Sequence, residues 1–177
     1  KQELRRNRLE GKSYTSREFS ELEFEHMWTK VWLLLGRESE MQEPGDWQRE
    51  DVGPESILMV RQDDKTIKAF YNICQHRGNQ LLQEKKGHAK RLVCKYHAWA
   101  FAIDGALLFA QDAKNFSQGN PCDNVRLKEI RCETFAGFIW VNMDPECAGL
   151  KKSLGPIWDD WSKYDLHTWK RYMALTT

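Results

Sequence analysis

The sequence predicts a mainly β protein: a small antiparallel sandwich or barrel with one helix near its N-terminus and an inserted pair of loops. Three observations favour this fold class. Short apolar segments recur at close spacing after residue 50, turn residues such as Gly, Asp and Asn separate them, and a helical apolar stripe falls within the first 30 residues. A chain of 177 residues with 41% hydrophobic content can form one main core.

The first predicted element is a helix from about residue 16 to residue 30. Thr15 and Glu18 stand three residues apart, as in a capping box at a helix start. The apolar stripe that follows consists of Phe19, Leu22, Met27 and Trp28. The run VWLLLGRE at 31–38 then predicts a lead-in strand, which the turn residues Pro-Gly-Asp at 44–46 bring to an end.

Three antiparallel hairpins are predicted downstream, each from two apolar runs joined by a polar turn. SILMVR pairs with KTIKAFYN across residues 62–64, and WAFAI pairs with ALLFA across Asp104-Gly105. VRLKEIRCE pairs with AGFIWVNM across a turn near residues 134–137. We therefore expect residues 1–40 to hold the helix and lead-in strand, 41–150 to form the β domain with its two loops at about 72–110, and 151–177 to be a connector with a short helix near 156–164.

The net charge and the hydropathy of the chain indicate which classes of protein to expect. Lys and Arg total 27 against 26 for Asp and Glu, so the net charge of +1 gives no reason to expect a nucleic-acid partner. No apolar run approaches the roughly 20 residues that span a bilayer, and the N-terminal residues lack the apolar core of a signal peptide. We expect a cytoplasmic protein. Its odd count of five cysteines favours metal ligation over a disulfide framework.

Two short motifs carry the chemistry. Cys74-Gln75-His76 and Cys94-Lys95-Tyr96-His97 each offer one thiolate and one imidazole, with 17 residues between the motifs. This pattern predicts a Rieske-type [2Fe–2S] cluster, in which two cysteines bind one iron and two histidines bind the other. Because neutral imidazoles replace two thiolates, such a centre is easier to reduce than an all-cysteine cluster.

A zinc site is the alternative, since two cysteines and two histidines can also hold Zn²⁺. The spacing argues against it. Zinc modules usually pair Cys with Cys and His with His, whereas here each motif mixes the two residue types.

The segments YNICQHRGNQLL and LVCKYHAWAFAIDGAL resemble the two cluster-binding segments of the α subunit of Rieske non-haem iron oxygenases. This family contains the aromatic-ring-hydroxylating dioxygenases and related demethylases and monooxygenases. The likeness extends over about residues 15–165. It implies the fold of the N-terminal Rieske domain of that subunit, in which Arg77 and Gly78 help to shape the first loop and Trp99 packs over the cluster.

The resemblance also implies a role for the domain within an oxygenase. The cluster would accept electrons from a ferredoxin or reductase, and His97 would be the ligand through which an electron leaves, toward a mononuclear Fe(II) in a neighbouring subunit. A homo-oligomer follows, a trimer by resemblance, with or without a β subunit. One departure is visible: the family commonly has Tyr-His-Gly-Trp, whereas this chain has Ala98, and alanine tolerates a positive φ poorly.

The catalytic iron of such an oxygenase is held by two histidines and a carboxylate. After His97 the only remaining histidine is His167, so the sequence suggests no catalytic residues of its own. We expect the mononuclear Fe(II) only in a catalytic domain that is absent from this sequence. The rival functions are a stand-alone Rieske ferredoxin, for which the helix and the C-terminal aromatic extension are surplus, and a zinc-binding interaction module.

The remaining candidate residues favour structural roles. Free cysteines behave as small apolar residues, so Cys122, Cys132 and Cys147 are expected in loops and a strand. His26 and His88 lack a partner at ligand spacing and are expected to be solvated. The tryptophans outside the motif are expected in the core or at interfaces: Trp28, Trp32, Trp47, Trp140, Trp158 and Trp161. The basic run between the loops could dock an acidic electron donor or be a solvated loop: Lys85, Lys86, Lys90, Arg91 and Lys95.

Overall fold

The computed structural model describes residues 11–170. Its main element is a seven-stranded antiparallel sheet in the order β1-β10-β9-β4-β3-β2-β5. The strands are β1 (Leu33–Arg37), β2 (Asp46–Val52), β3 (Glu55–Arg61), β4 (Ile67–Tyr71), β5 (Lys86–His88), β9 (Glu129–Phe135) and β10 (Phe138–Asn142). A second sheet of three strands contains β6 (Leu92–Val93), β7 (Ala100–Phe101) and β8 (Leu107–Phe109). The predicted mainly β, antiparallel fold class is confirmed.

All three predicted hairpins form. β3 pairs with β4 from Ile57 opposite Tyr71 to Arg61 opposite Ile67, and β9 pairs with β10 in continuous register. β7 and β8 pair in the small sheet, with an irregularity between Ala100 and Phe101. These pairings depend on local turns, and the turn residues in the sequence predicted them. The predicted lead-in strand is β1, which pairs with β10 and so shares one sheet with the β domain.

Three strands escaped the sequence analysis: β2, β5 and the two-residue β6. β2 has the sequence DWQREDV, whose charged residues conceal it, although it pairs with β3 along its whole length. β5 has the sequence KGH, whose three residues are exposed and which lies within the basic run between the two loops. It is a strand because it pairs with the edge of β2, where a side chain in place of Gly87 would lie 2.7 Å from the ring of Trp47.

The N-terminal helix begins one residue later than the capping box indicated. Ser16, not Thr15, caps helix α2 (Arg17–Glu23), after the single turn α1 (Lys12–Thr15), by accepting a hydrogen bond from the backbone N–H of Phe19 at 3.2 Å. A π-helical turn extends it over Phe24–Trp28. The apolar stripe lies on this helix as predicted, but its side chains remain between 39% and 48% exposed: Phe19, Leu22, Met27 and Trp28.

Two apolar clusters occupy opposite faces of the main sheet. Along β3, Ile57 and Met59 pack on one face with residues of β4, β9 and β10, while Leu58 and Val60 pack on the other. The second face also buries side chains of the small sheet, among them Phe101, which is fully buried. This shared core fixes the small sheet and its loops against the main sheet, because close-packed side chains leave few alternative arrangements.

The C-terminal part folds back onto the main sheet. Helix α3 (Leu150–Leu154) precedes α4 (Pro156–Trp161), which corresponds to the short helix expected near 156–164. Trp158 stacks on Phe135 with ring centroids 3.6 Å apart. The buried guanidinium of Arg37 donates hydrogen bonds to the carbonyls of Leu166 and Trp169, both at 2.7 Å. Part of the proposed connector is therefore held against the β domain. The domain boundaries at residues 40 and 150 stay predictions, and the outermost parts of the first and third segments lie outside the described residues.

None of the helices in the described range is both long and apolar enough to cross a membrane.

Candidate metal centre

The two motif loops share one backbone frame. In the first loop, residues 74–79, the N–H of Cys74 donates to the carbonyl of Asn79 at 2.8 Å, and the N–H of Gly78 donates to the carbonyl of Cys74 at 3.0 Å. In the second loop, residues 94–99, Cys94 and Ala98 make the same two bonds, to Trp99 and Cys94, at 2.8 and 3.0 Å. Each loop is thus a closed six-residue turn with its cysteine at the first position.

The fifth residue of each turn has a left-handed backbone. Gly78 has φ of +70° and Ala98 has φ of +55°. Glycine adopts this conformation without steric cost, whereas alanine pays about 1–2 kcal/mol for it. The chain keeps the turn even with Ala98 at this position. The closing hydrogen bonds and the packed sheet beneath the loop offset the strain.

The two cysteine thiols meet beneath the loops. Cys74 and Cys94 are each 2% exposed and lie within hydrogen-bonding distance of each other. Burial, more than any other cause, raises the pKa of the Cys74 thiol to about 11, and the neighbouring Cys94 adds to this, while backbone N–H groups of His76 and Arg77 act in the opposite direction. The buried Cys74 thiol therefore resists ionisation unless a cation compensates its charge. A metal supplies that compensation.

The two histidine rings lie next to each other, one from each loop. The rings of His76 and His97 are 4.7 Å apart, edge to face at 71°. Burial lowers the pKa of His76, and the neighbouring His97 and Arg77 lower it further. These effects favour the neutral imidazole, the form that binds a metal. Within the described part of the chain, His76 Nδ1 is a buried polar atom without a hydrogen-bond partner.

These side chains fit a binuclear cluster. Each of the two loops contributes one soft thiol and one imidazole, and the orphaned Nδ1 of His76 has a use if it binds iron. Across residues 11–170, no three His, Cys, Asp or Glu side chains are arranged to hold a single metal ion. A two-iron cluster divides its ligands between two metals and does not need that arrangement.

The structure also places the other residues that the resemblance implied. Trp99 is 3% exposed and stacks on His76, with centroids 4.7 Å apart and ring planes 9° apart. Gly78 closes the first loop, and Arg77 extends from that loop into solvent. His97 is partly exposed, with the ring of Tyr96 3.8 Å away.

Sequence reasoning missed two asparagines. Asn72 is fully buried at the end of β4, where its side chain accepts from the N–H of Leu82 at 2.9 Å and donates to the carbonyl of Leu82 at 2.7 Å. It fastens the chain on both sides of the first loop. Asn79 lies at the sixth position of that loop, against the sulfur of Cys94. The sequence signal that could have found them is their position beside the first ligand motif. A polar side chain there can bind the loop backbone or a ligand residue.

The residues interpreted as structural occupy structural positions. Cys122 lies in a 3₁₀ turn, Cys132 in β9 and Cys147 in a loop, all as free thiols. Burial raises the pKa of Cys132 to about 12. His26 and His88 are exposed, although Nδ1 of His88 lies 2.9 Å from Asp46.

The tryptophans and the basic run are distributed as follows. Trp47 and Trp140 are buried in the β domain, and Trp32 donates to the carbonyl of Ala148 at 2.9 Å. Trp158 and Trp161 pack on β9 and β10, and Trp28 is 43% exposed. Every residue of the basic run is exposed, and Lys95 pairs with Glu84 at 2.7 Å. Whether the run docks a partner stays a prediction.

Comparison with known proteins agrees with this geometry. The model of the Rieske [2Fe-2S] domain family matches residues 31–127. The chain is 37% identical over 147 residues to the carnitine monooxygenase oxygenase subunit of Escherichia coli (strain K12), covering 82% of this chain and 39% of that protein. It is 35% identical over 149 residues to benzene 1,2-dioxygenase subunit alpha of Pseudomonas putida, covering 84% of this chain and 33% of that protein.

Solved structures show the same similarity. The quaternary ammonium Rieske monooxygenase CntA superimposes with a TM-score of 0.79 at 31% identity, covering 86% of this chain and 42% of that one. A naphthalene 1,2-dioxygenase variant superimposes with a TM-score of 0.75 at 32% identity, covering 81% of this chain and 33% of that one. The chain therefore spans between 33% and 42% of the length of these relatives.

Proposed function

The chain belongs to the Rieske [2Fe-2S] domain family, and from this premise we propose that Cys74, His76, Cys94 and His97 ligate its cluster. The observation that carries the proposal is that the same two closed loops bring two buried thiols next to each other and two imidazole rings to 4.7 Å from each other, one ring with an orphaned Nδ1. Each loop contributes one cysteine and one histidine. This matches a cluster with two cysteines on one iron and two histidines on the other.

When bound, the [2Fe–2S] group stores and releases one electron. The residues of the chain determine how it is held. The backbone N–H groups of His76 and Arg77 point at the sulfur of Cys74 and stabilise it as a thiolate. Trp99 covers one face of His76 and fixes the orientation of its ring. Both histidines are partly exposed, but Trp99 covers His76, and we propose His97 as the exit for the electron.

We propose further that the domain serves an oxygenase. The relatives are an oxygenase subunit of a carnitine monooxygenase and an α subunit of a benzene dioxygenase. The similarity covers more than four fifths of this chain, beyond the 97 residues of the family model. A ferredoxin or reductase would supply electrons, a mononuclear Fe(II) outside this sequence would receive them, and the assembly would be a homo-oligomer, a trimer by resemblance, with or without a β subunit. A stand-alone ferredoxin is less consistent with the added helix and C-terminal segment.

The test begins with the reconstituted chain. Iron and sulfide should give a red-brown protein that a reductase or dithionite reduces by one electron, whereas a zinc protein would be colourless. Hyperfine spectroscopy of the reduced protein should show two coupled ligand nitrogens. His76→Ala and His97→Ala should each remove one of these couplings or prevent assembly of the cluster. Purely sulfur ligation would end the Rieske interpretation. The oxygenase proposal is tested separately: a chain extended by its natural C-terminal sequence should oxygenate substrates that the 177-residue chain leaves unchanged.

A further inference from the structure

The side chain of Asn79 contacts the cysteine of the opposite loop. Its amide nitrogen Nδ2 lies 3.8 Å from Sγ of Cys94, a distance suited to an N–H group donating to the large sulfur atom. Asn79 is partly buried, and Cys94 is only 2% exposed. Water therefore has little access to this sulfur, so that a protein donor there has no ready substitute.

A second contact fixes the orientation of the amide. Nδ2 of Asn79 is also 2.8 Å from the backbone carbonyl of Gln80. A carbonyl can only accept a hydrogen bond, and the flipped amide would place two oxygen atoms face to face. The NH₂ group has two hydrogens, one for the Gln80 carbonyl and one for the sulfur. The donor at Cys94 is thus held by a partner within the same loop.

We propose that Asn79 raises the reduction potential of the bound cluster by donating a hydrogen bond to the Cys94 thiolate. Reduction adds negative charge to the cluster and its thiolates, and a donor aimed at a sulfur stabilises the more negative state. The inference rests on the proposed function, because it requires Cys94 to be a ligand. Asn79 touches no reacting substrate atom, so it is a positioning residue that acts through the ligand.

The arrangement is reciprocal between the loops. Asn79, the sixth residue of the first loop, reaches the cysteine of the second, and Trp99, the sixth residue of the second loop, stacks on His76 of the first. Backbone N–H groups of the first loop lie at the sulfur of Cys74, and a side chain from the first loop lies at the sulfur of Cys94. The environment of Cys94 can consequently be changed by one substitution that leaves the backbone frame intact.

The experiment compares Asn79→Leu with Gln75→Leu in the full, cluster-loaded chain. Leucine has a similar size to asparagine and no donor. Gln75 lies on the same loop, but its amide donates to the carbonyl of Ile73 at 3.0 Å and serves as the matched control. In a spectroelectrochemical titration poised at the wild-type midpoint, Asn79→Leu should raise the ratio of oxidised to reduced cluster about fivefold, the factor that one net hydrogen bond is worth. Gln75→Leu should leave the ratio near one.

A spectroscopic readout separates tuning from a structural role. In D₂O, pulsed electron paramagnetic resonance of the reduced wild type should show exchangeable deuterons coupled to the cluster. Asn79→Leu should lose the coupling that comes from the Asn79 amide, Gln75→Leu should retain it, and both should keep the couplings from the backbone N–H groups at Cys74. If Asn79→Leu fails to assemble a cluster, Asn79→Ala replaces it. Alanine also lacks the donor, and like leucine it keeps the backbone carbonyl of residue 79 that accepts from Cys74. An unchanged midpoint in a variant with an intact Rieske spectrum would overturn the inference. A wild type without any Rieske spectrum would instead overturn the proposed function.

Discussion

The first loop, residues 74–79, and the second loop, residues 94–99, form the same backbone turn around a cysteine with different residues. Both close the same two backbone hydrogen bonds and bury a cysteine at their first position. They differ in the histidine position, third in one and fourth in the other, and in the left-handed residue, Gly78 against Ala98. The backbone frame therefore sets where the thiols lie, and side chains create the asymmetry of the site.

The loops also differ in what holds them in place. The second loop connects β6 to β7, whose ladder pairs Leu92 with Phe101 and Val93 with Ala100. The first loop is fastened by the side chain of Asn72 and by a single bridge between Ile73 and Gln80. A backbone ladder spreads its stabilisation over several bonds, whereas one buried side chain concentrates it. Substitutions should accordingly harm the two loops in different ways.

The largest expected effect tests whether the loops contribute equally to the cluster. Cys74→Ser and Cys94→Ser should each abolish assembly of the [2Fe–2S] centre, because each removes one of two thiolates on the same iron. Iron and labile sulfide content and the visible spectrum measure this. Cys147→Ser, on a loop outside the motifs, is the control and should bind the cluster normally. A stable Rieske spectrum in either ligand variant would remove that cysteine from the ligand set.

Asn72→Ala should break only the anchor of the first loop. The buried N–H and carbonyl of Leu82 would lose their partners, at a cost of about 3 kcal/mol in the free energy of unfolding. The thermal midpoint should fall by roughly 6–12 °C. Asn115→Ala, at an exposed position, should change it little. Equal midpoints for the two variants would mean that the first loop does not depend on Asn72.

The segment that joins the loops supplies a third test, of docking. If its basic run steers an acidic donor, Lys86→Glu with Lys90→Glu should slow second-order reduction by that donor about tenfold at low salt and less at high salt. Lys151→Glu with Lys152→Glu, on helix α3, carries the same charge change away from the loops. Stopped-flow measurement of the reduction rate at several ionic strengths tests this prediction. A rate independent of salt in wild type and variant supports the solvated loop.

The smallest expected effect compares the two left-handed positions. Ala98→Gly should stabilise the protein by about 0.5–1 kcal/mol, because relief of the strained φ exceeds the added entropy of the unfolded chain. Gly78→Ala should destabilise it by about 1 kcal/mol, and only through conformation, since an added Cβ there meets no atom within 4 Å. Chemical denaturation measures both. Shifts of the same sign in the two variants would contradict a shared backbone frame.

Local features of the sequence predicted much of the fold and the candidate ligands. The hairpins β3–β4, β7–β8 and β9–β10 follow from turn residues between apolar runs, and the ligands follow from the mixed Cys and His spacing. The strands β2 and β5 could not be predicted in this way. Their residues are charged or exposed, and they are extended because neighbouring strands offer them backbone partners.

The sequence by itself determined which residues could bind a cluster and that the chain would be mainly β, because ligand chemistry, turns and apolar periodicity are properties of short segments. Tertiary structure alone decided which side chain serves which ligand. Trp99 contacts His76, and Asn79 contacts Cys94, although the two loops lie about 20 residues apart in the sequence. The core that both sheets share holds the loops next to each other. No periodicity in a sequence records such a contact, because packing between distant segments sets it.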